Sequence, residues 1–340
     1  MNIILKVALI IAVCAFPPLQ SNAQNNAIGV VKTFHIKSAG GWDYLALSPV
    51  NNSLYLSHGT QVNILDRTSG DSLGVIPQTT GVHGIAFAPE FKKGFISNGK
   101  LNNVFVFDIN TNKVLDSIPT GTNPDFIYYD NYSKRLFLGN GKSENATVID
   151  PSSNKVVATI ALNGKPEAIV SNLHGQIYIN LEDKHEIAVV NTRSMTVTKR
   201  YPLAVDEEPA GLAIDNITHR LFAGCSNKKM IVLNAITGSY IASVPIGDHC
   251  DGLSFDEVNR NILAANGDGT MTIVHQTGTS DTYKVIANVA TKKGARTIAE
   301  DNKTHLAYLP TAEFEPQPAG FKERPKMIPG TFQVLVVGNK

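Results

Sequence analysis

Seven short apolar segments recur along this chain of 340 residues at a nearly constant spacing. Successive segments begin 40 to 45 residues apart, and each is followed by a turn and a second apolar run. A repeat of this length that is built from strands is typical of one blade of a β-propeller. The sequence therefore predicts an all-β fold, a seven-bladed β-propeller. The segments begin at Asp43, His83, Asp125, Glu167, Ala210, Asp251 and Arg296.

The two ends of the repeat region complement each other. The last repeat finishes with the apolar run 331–337 and is one strand short. An additional strand-like run, 28–36, precedes the first repeat. We expect these two runs to pair, because the ring would then have no open strand edge. The last blade is thus predicted to be closed by the N-terminal strand.

Residues 1–23 have the features of a signal peptide. Lys6 precedes the uninterrupted apolar run 7–16, and Ser21 and Ala23 are small residues at the positions that a signal peptidase reads. The run is too short to span a bilayer, and no later segment is longer. We therefore expect an exported protein, periplasmic or secreted, whose residues 24–340 form a single propeller domain without a membrane span.

The charge balance disfavours nucleic acid as a partner. Without residues 1–23 the chain carries 29 basic and 29 acidic residues. A chain without net charge has no overall field that would draw it to a polyanion. A monomer is expected, and the partner is an unknown protein or small-molecule ligand.

Two cysteines, Cys225 and Cys250, follow the predicted signal peptide. In an exported protein an even number of cysteines favours a disulfide. Closing a loop of about 25 residues would stabilise the fold by about 3 kcal/mol. Both residues are expected at the same end of neighbouring blades, within bridging distance. The alternatives to a disulfide are two free thiols or cysteines that bind a metal.

The second strand of most repeats ends in a related motif. Examples are Leu54-Tyr-Leu-Ser-His58, Gly94-Phe-Ile-Ser-Asn98, Leu136-Phe-Leu-Gly-Asn140, Gln176-Ile-Tyr-Ile-Asn180 and Leu221-Phe-Ala-Gly-Cys225. These runs, with continuations such as Val104-Phe-Val-Phe-Asp108, resemble the Tyr-Val-Thr-Asn repeat. Residues 28–340 are similar to exported seven-bladed YVTN propellers of the YncE type. The resemblance implies the fold and no catalytic residues, and the chain departs from the motif at His58, Cys225 and Pro310.

The first residue of each inner strand is expected to line one mouth of the central channel. Six of the seven residues at this position are ionisable, and four of those are acids. Crowded carboxyl groups raise one another's pKa or bind a cation. The predicted ligand-binding mouth consists of Asp43, His83, Asp125, Glu167, Asp251 and Arg296, with Trp42 beside them.

Three interpretations of these polar residues are open. In the first, the acids and asparagines only cap the turns that lead into the strands. In the second, Ca²⁺ or another divalent metal is the cofactor, and oxygen atoms bind it. Its ligands would be Asp125, Glu167, Asp251, Asn140 and Asn180. In the third, a softer metal is bound by His58, His83, His249 and the two cysteines.

The leading functional hypothesis is an exported binding or interaction module that uses the polar mouth and the proline-rich segment 310–329. The alternative is a metal-dependent enzyme of the lactonase or lyase kind. His83 would act there as general base, and Arg296 would stabilise developing negative charge. A third hypothesis is metal handling or redox sensing. No linear motif of a hydrolase, nucleotide-binding protein or haem protein occurs, so the residues alone do not decide among the three.

Overall fold

The computed structural model describes residues 27–203, 208–278, 281–316 and 326–340. Within these residues the chain forms seven sheets, each with four antiparallel strands. The sheets are the blades of a seven-bladed β-propeller, so the predicted fold class is confirmed. The predicted signal peptide lies outside the described residues.

The strands follow the chain blade by blade. The first strand, β1 (Ile28–His35), belongs to blade 7. Blades 1 and 2 contain β2 (Trp42–Leu47), β3 (Ser53–His58), β4 (Gln61–Asp66), β5 (Ser72–Pro77), β6 (Val82–Ala88), β7 (Lys93–Asn98), β8 (Asn103–Asp108) and β9 (Val114–Pro119). Blades 3 and 4 contain β10 (Pro124–Asp130), β11 (Arg135–Asn140), β12 (Asn145–Asp150), β13 (Lys155–Ala161), β14 (Pro166–Ser171), β15 (Gln176–Leu181), β16 (Glu186–Asn191) and β17 (Thr196–Pro202).

The remaining three blades have the same order. Blades 5 and 6 contain β18 (Pro209–Asp215), β19 (Arg220–Cys225), β20 (Lys229–Asn234), β21 (Tyr240–Pro245), β22 (Cys250–Asp256), β23 (Asn261–Asn266), β24 (Thr270–Gln276) and β25 (Tyr283–Ala290). Blade 7 contains β26 (Ala299–Asp301), β27 (Leu306–Thr311) and β28 (Gln333–Asn339). Two short 3₁₀ helices, Pro89–Phe91 and Glu182–Lys184, are the helical elements of the described residues.

The N-terminal strand closes the ring as predicted. Strand β1 pairs with β28 along its length, from Ile28 opposite Asn339 to His35 opposite Gln333. It thereby supplies the outer strand that blade 7 lacks. On the inner side, Thr297 Oγ1 donates a hydrogen bond of 2.6 Å to the Asp43 carbonyl and so joins blade 7 to blade 1.

The hydrophobic core lies between the blades. Seven clusters of buried side chains each combine residues of two neighbouring blades. Phe95 of blade 2 and Leu136 of blade 3 share one cluster, for example, and both are fully buried. Burying a side chain of this size contributes roughly 1.5–3 kcal/mol. Stability therefore depends on how each blade packs on the next, which keeps the inner strands in a fixed ring.

The outer strands differ from the inner ones in burial. In β9 four of the six residues are exposed before the buried Ile118. Ile76, Ile160, Tyr201 and Val244 are the buried residues at the corresponding position of other blades. Each outer strand is thus anchored by one side chain near its end. The exposed residues of β9 are Val114 and Leu115 together with Asp116 and Ser117, and the two polar ones discourage pairing with another molecule.

Candidate functional site: the polar mouth

A local irregularity in the inner strands of blades 1 to 6 positions the residues of the mouth except Arg296, which precedes β26. The pairing between the first two strands shifts between Trp42 and Leu45 in blade 1, and equivalent shifts occur in blades 2 to 6. The bulges enclose Asp43, His83, Asp125, Glu167, Ala210 and Asp251. A bulge changes the direction of a side chain relative to the regular sheet. We name Asp43, His83, Asp125, Glu167, Asp251 and Arg296 the polar mouth.

Three neighbouring blades bring two acids and a histidine together. His83 Nδ1 lies 2.6 Å from Asp43 Oδ2 and 3.7 Å from Asp125 Oδ1. The three side chains are largely buried, with exposed fractions of 27%, 15% and 14% for His83, Asp43 and Asp125. The short contact to Asp43 is a charge-assisted hydrogen bond when His83 is protonated.

Two further basic residues pair with the other acids. Arg296 Nε donates a hydrogen bond of 2.6 Å to Asp251 Oδ2, and Arg296 also lies 3.8 Å from Asp43 Oδ1. Lys165, just outside the mouth, lies 2.7 Å from Glu167 Oε1 and also contacts Glu182. Through Arg296 the pair in blades 6 and 7 is connected to Asp43 of blade 1.

Burial and mutual repulsion shift the pKa values of the mouth. Burial raises the pKa of Asp125, and the charge of Asp43 raises it further against the opposing effect of His83. Burial and then the charge of Asp125 raise the pKa of Glu167. Burial lowers the pKa of His83, but the hydrogen bond to Asp43 and the charge of Asp125 outweigh it and raise that pKa to about 9. His83 is therefore protonated at neutral pH.

Tyr44 lies among the four carboxyl groups. Burial raises the pKa of its hydroxyl, and the charges of four acids add to this effect: Asp251, Asp43, Asp125 and Glu167. Its ring packs edge-to-face on Phe126, with 4.8 Å between the ring centroids. The four carboxyl groups thus converge on one region, next to a pair of aromatic side chains.

Glycine residues provide space for the polar side chains. Gly99 follows the second strand of blade 2, and a Cβ atom at this position would lie 2.6 Å from His83 Nε2. At Gly141 a Cβ atom would lie 3.2 Å from Asn123 Nδ2. The loop after β7 therefore approaches the His83 ring so closely that a larger residue would displace it.

The structure places the two asparagines of the predicted calcium site within hydrogen-bond networks of the blades. Asn140 Nδ2 donates hydrogen bonds of 2.8 Å to Asn145 Oδ1 and to Thr147 Oγ1. Asn180 Nδ2 donates to the carbonyls of Ala210 and Gly211, at 3.1 and 3.0 Å. The amide nitrogens tie strands and blades together, while Oδ1 of both asparagines is buried and accepts no hydrogen bond from the described residues. Asp125, Glu167 and Asp251 belong to the mouth, and the calcium site stays a prediction.

Two further residues that the sequence analysis names pack against Phe332 of the last repeat. Trp42 packs on Phe314 and Phe332, with ring centroids 5.9 and 5.6 Å away. His58 is fully buried and stacks on Phe332 at 3.9 Å, and its nitrogens contact Ser38 Oγ at 2.7 Å and the Gly40 carbonyl at 2.9 Å. Burial lowers the pKa of His58. Its role is to fill the seam between blades 7 and 1.

The described parts of the proline-rich segment form a short antiparallel ribbon. The Glu315 N–H donates to the Lys326 carbonyl at 2.8 Å, and Phe314 pairs with Met327. Phe314 also contacts Trp42, the residue before Asp43. The base of the segment is thereby held beside the mouth, while residues 317–325 lie outside the described part of the chain.

Cys225 and Cys250 are two buried thiols in this structure. Cys225 Sγ lies 3.7 Å from the Ala223 carbonyl, and Cys250 Sγ lies 3.6 Å from the Gly252 carbonyl. Burial, followed by the charges of Asp251 and Cys225, raises the pKa of Cys250, so this thiol is a weak nucleophile. They occupy adjacent blades as expected, and the disulfide stays a prediction.

A second buried polar group, around Glu300, was not predicted from the sequence. Glu300 Oε2 accepts a hydrogen bond of 2.7 Å from Ser254 Oγ, whereas its Oε1 is buried and accepts none from the described residues. Burial raises the pKa of Glu300 to about 7. An acid at this repeat position is unusual and could have indicated the group. The same position is apolar in five other blades: Leu47, Phe87, Tyr129, Ile214 and Phe255.

The surroundings of Glu300 have a structural role. His305 Nδ1 lies 3.0 Å from Asp256 Oδ2, and Arg260 lies 2.8 Å from Asp215 Oδ2. Both pairs connect the end of one inner strand to the next blade. The acids also cap their own turns, as when Asp256 Oδ1 accepts the Val258 N–H at 3.0 Å. Asp215 and Asp256 thus serve to hold neighbouring blades and their own turns in place.

Comparison with known proteins supports the fold. The chain is similar to a solved structure of Kuenenia stuttgartiensis hydrazine synthase, with a TM-score of 0.70 and 14% sequence identity. The similarity covers 81% of this chain and 94% of that chain. At this identity the likeness shows the propeller fold alone.

Comparison of the sequence with family models and with curated proteins found no relative. No family model matches the chain, and no curated protein matches it. The similarity to YVTN propellers therefore stays an expectation at the level of the family. Among the described residues, no helix has the length and apolar character needed to cross a membrane.

Proposed function

We propose that this protein is an exported ligand-binding propeller whose polar mouth binds a small positively charged ligand. The observation that carries the proposal is the convergence of four carboxyl groups on one mouth: Asp43, Asp125 and Asp251 are linked through His83 and Arg296, and the charge of Asp125 acts on Glu167. Two basic side chains, His83 and Arg296, share the six positions with them, and Lys165 pairs with Glu167 from just outside. Burial and, after it, the neighbouring acids raise the pKa of Asp125 and Glu167, and a bound cation would offset both effects. Export is inferred from residues 1–23 alone.

The rigid ring suits such a site. The inner strands are fixed by interblade packing, so the charged groups need little rearrangement when a ligand binds. The base of the proline-rich segment lies beside the mouth through the contact of Phe314 with Trp42. We propose that this segment extends the contact surface for the ligand or for a protein that carries it.

A thermal-shift screen with small amines, guanidines and amino acids tests the proposal. A ligand at about 100 times its Kd should add about 2.7 kcal/mol to the stability of the folded protein. The shift should disappear in Asp251→Asn and persist in Glu90→Gln, a control in the turn after the inner strand of blade 2. Equal shifts in both variants would place binding outside the mouth, and no shift with any cation would contradict the proposal.

A second candidate function is the lactonase or lyase hypothesis with the roles of two residues exchanged, because His83 is protonated at neutral pH. With its pKa raised to about 9, His83 would act as a proton donor rather than the general base. Asp125 or Glu167, whose pKa values are raised, would be the base. Wild-type protein should then open a lactone in a reaction that increases with pH near neutrality and is lost in Asp125→Asn. Failure of the wild type to convert any lactone of a broad panel would contradict this function.

A further inference from the structure

One side of the polar mouth combines three side chains that are common metal ligands. One donor atom each from Asp43, His83 and Asp125 lie within 4.8 Å of one another. The Nδ1 atom of His83 is 2.6 Å from Asp43 Oδ2 and 3.7 Å from Asp125 Oδ1. A metal with bonds of about 2.1 Å needs ligand atoms about 3.0–3.4 Å apart. Small side-chain rotations would therefore suffice to reach this geometry.

Asp125 supplies an independent indication. Its Oδ1 atom is buried and accepts no hydrogen bond from any described residue. Buried polar atoms nearly always have a hydrogen-bond partner, and the 3.7 Å contact with His83 is too long to be one, so this oxygen requires an explanation. This oxygen is the one that lies nearest the His83 nitrogen. A cation between the two side chains would satisfy it.

The orientation of the imidazole ring selects the nitrogen atom. On one side, His83 Nε2 faces the Gly99 backbone, where even an added Cβ atom would lie at 2.6 Å. On the other side, Nδ1 faces both carboxylates. Nδ1 thus has the anionic neighbours that a metal ion requires, and a side chain larger than that of Gly99 would displace the ring from this position.

We propose that Asp43, His83 and Asp125 bind a first-row divalent transition metal such as Zn²⁺. Imidazole together with carboxylate suits such an ion, whereas Ca²⁺ takes six to eight oxygen ligands. Binding requires neutral His83, so the proton held between His83 and Asp43 leaves to solvent as the metal–nitrogen bond forms. Three protein ligands leave a coordination position open for a ligand or water. This inference rests on the proposed function, because it names the cation that the same mouth binds.

Calorimetric titration of chelator-treated protein with Zn²⁺ tests the inference. We expect one site per chain, with proton release seen as a dependence of the heat on buffer ionisation enthalpy. His83→Ala and Asp125→Asn should weaken binding by at least about 100-fold, because second-shell changes alone cost 10–100-fold. Gly99→Ala, which removes no ligand, should weaken it by about tenfold through displacement of the ring. Ca²⁺ should bind at least about tenfold more weakly than Zn²⁺.

The control is His174→Ala, an exposed histidine in the turn between β14 and β15. It should leave Zn²⁺ affinity unchanged, and thermal unfolding should show that every variant is folded. Absence of Zn²⁺ binding at 100 µM (about a hundred times a micromolar Kd), or equal affinity of wild type and the two ligand variants, would overturn the inference. If organic cations still stabilise the wild type in the thermal-shift screen, the metal inference fails alone and the proposed function stands.

Discussion

The buried carboxyl group of Glu300 should make the stability of the propeller depend on pH. Burial raises the pKa of Glu300 from its ordinary 4.5 to about 7. Stability from the protonated form is complete below pH 4.5 and is lost as pH increases through 7. Each pH unit corresponds to about 1.4 kcal/mol, so ionisation costs up to about 3 kcal/mol. Contact with solvent lowers this to about 2–3 kcal/mol.

The variant Glu300→Gln removes this cost. The amide has nearly the shape of the protonated carboxyl and can accept the same hydrogen bond from Ser254. Wild type and variant should therefore have similar free energies of unfolding at pH 4. At pH 8.5 the variant should be more stable by about 2–3 kcal/mol. Urea unfolding followed by tryptophan fluorescence at several pH values measures the difference.

Glu90→Gln is the matched control with the opposite sign. Burial raises the pKa of Glu90, but the bonds from Lys134 and Tyr129 outweigh it and lower that pKa. Wild type gains stability from this group above pH 4.5, so the control should be less stable than wild type at pH 8.5 and closer to wild type at pH 4. A stability difference between Glu300→Gln and wild type that stays constant from pH 4 to 8.5 would refute the reasoning.

Three further predictions concern the mouth, the ring closure and the cysteines. In NMR titration, the His83 imidazole should have its midpoint near pH 9, and Asp43→Asn should lower it because the hydrogen-bonded anion is lost. Removing residues 27–36 exposes the interface around Phe34 and Ile36, and should lower the free energy of unfolding in urea by at least about 3–6 kcal/mol. In protein without residues 1–23, which contain Cys14, maleimide titration in urea without reductant should find no reactive thiol if Cys225 and Cys250 form the predicted disulfide, and two thiols would contradict it.

The ring and the mouth could be predicted from the sequence because both depend on local repetition. Each inner strand has its mouth residue at the same repeat position, and six of these residues lie in equivalent bulges. Side chains at the same position of the repeat therefore point in the same direction relative to the ring axis. Asp43, His83 and Asp125 converge for this reason, although 82 residues separate the first from the last.

Other features depend on contacts that no repeat position encodes. His58 replaces an asparagine of the motif, and its ring is buried by Phe332, which lies in the last repeat. Trp42 packs under the segment that only blade 7 contains. The proton affinity of His83 likewise follows from two neighbouring carboxylates, and the residue type alone suggested a base instead. Pairwise packing across the ring decides these cases.

The pairing of β1 with β28 has a consequence for how the molecule is made. Of the described strands, β1 comes first along the chain and its partner β28 comes last, with Ile28 opposite Asn339. A contact of such sequence separation forms slowly, so the edge of β1 stays unpaired until β28 is available. Loss of β28 would therefore leave β1 without a partner, and the ring would open between blades 7 and 1.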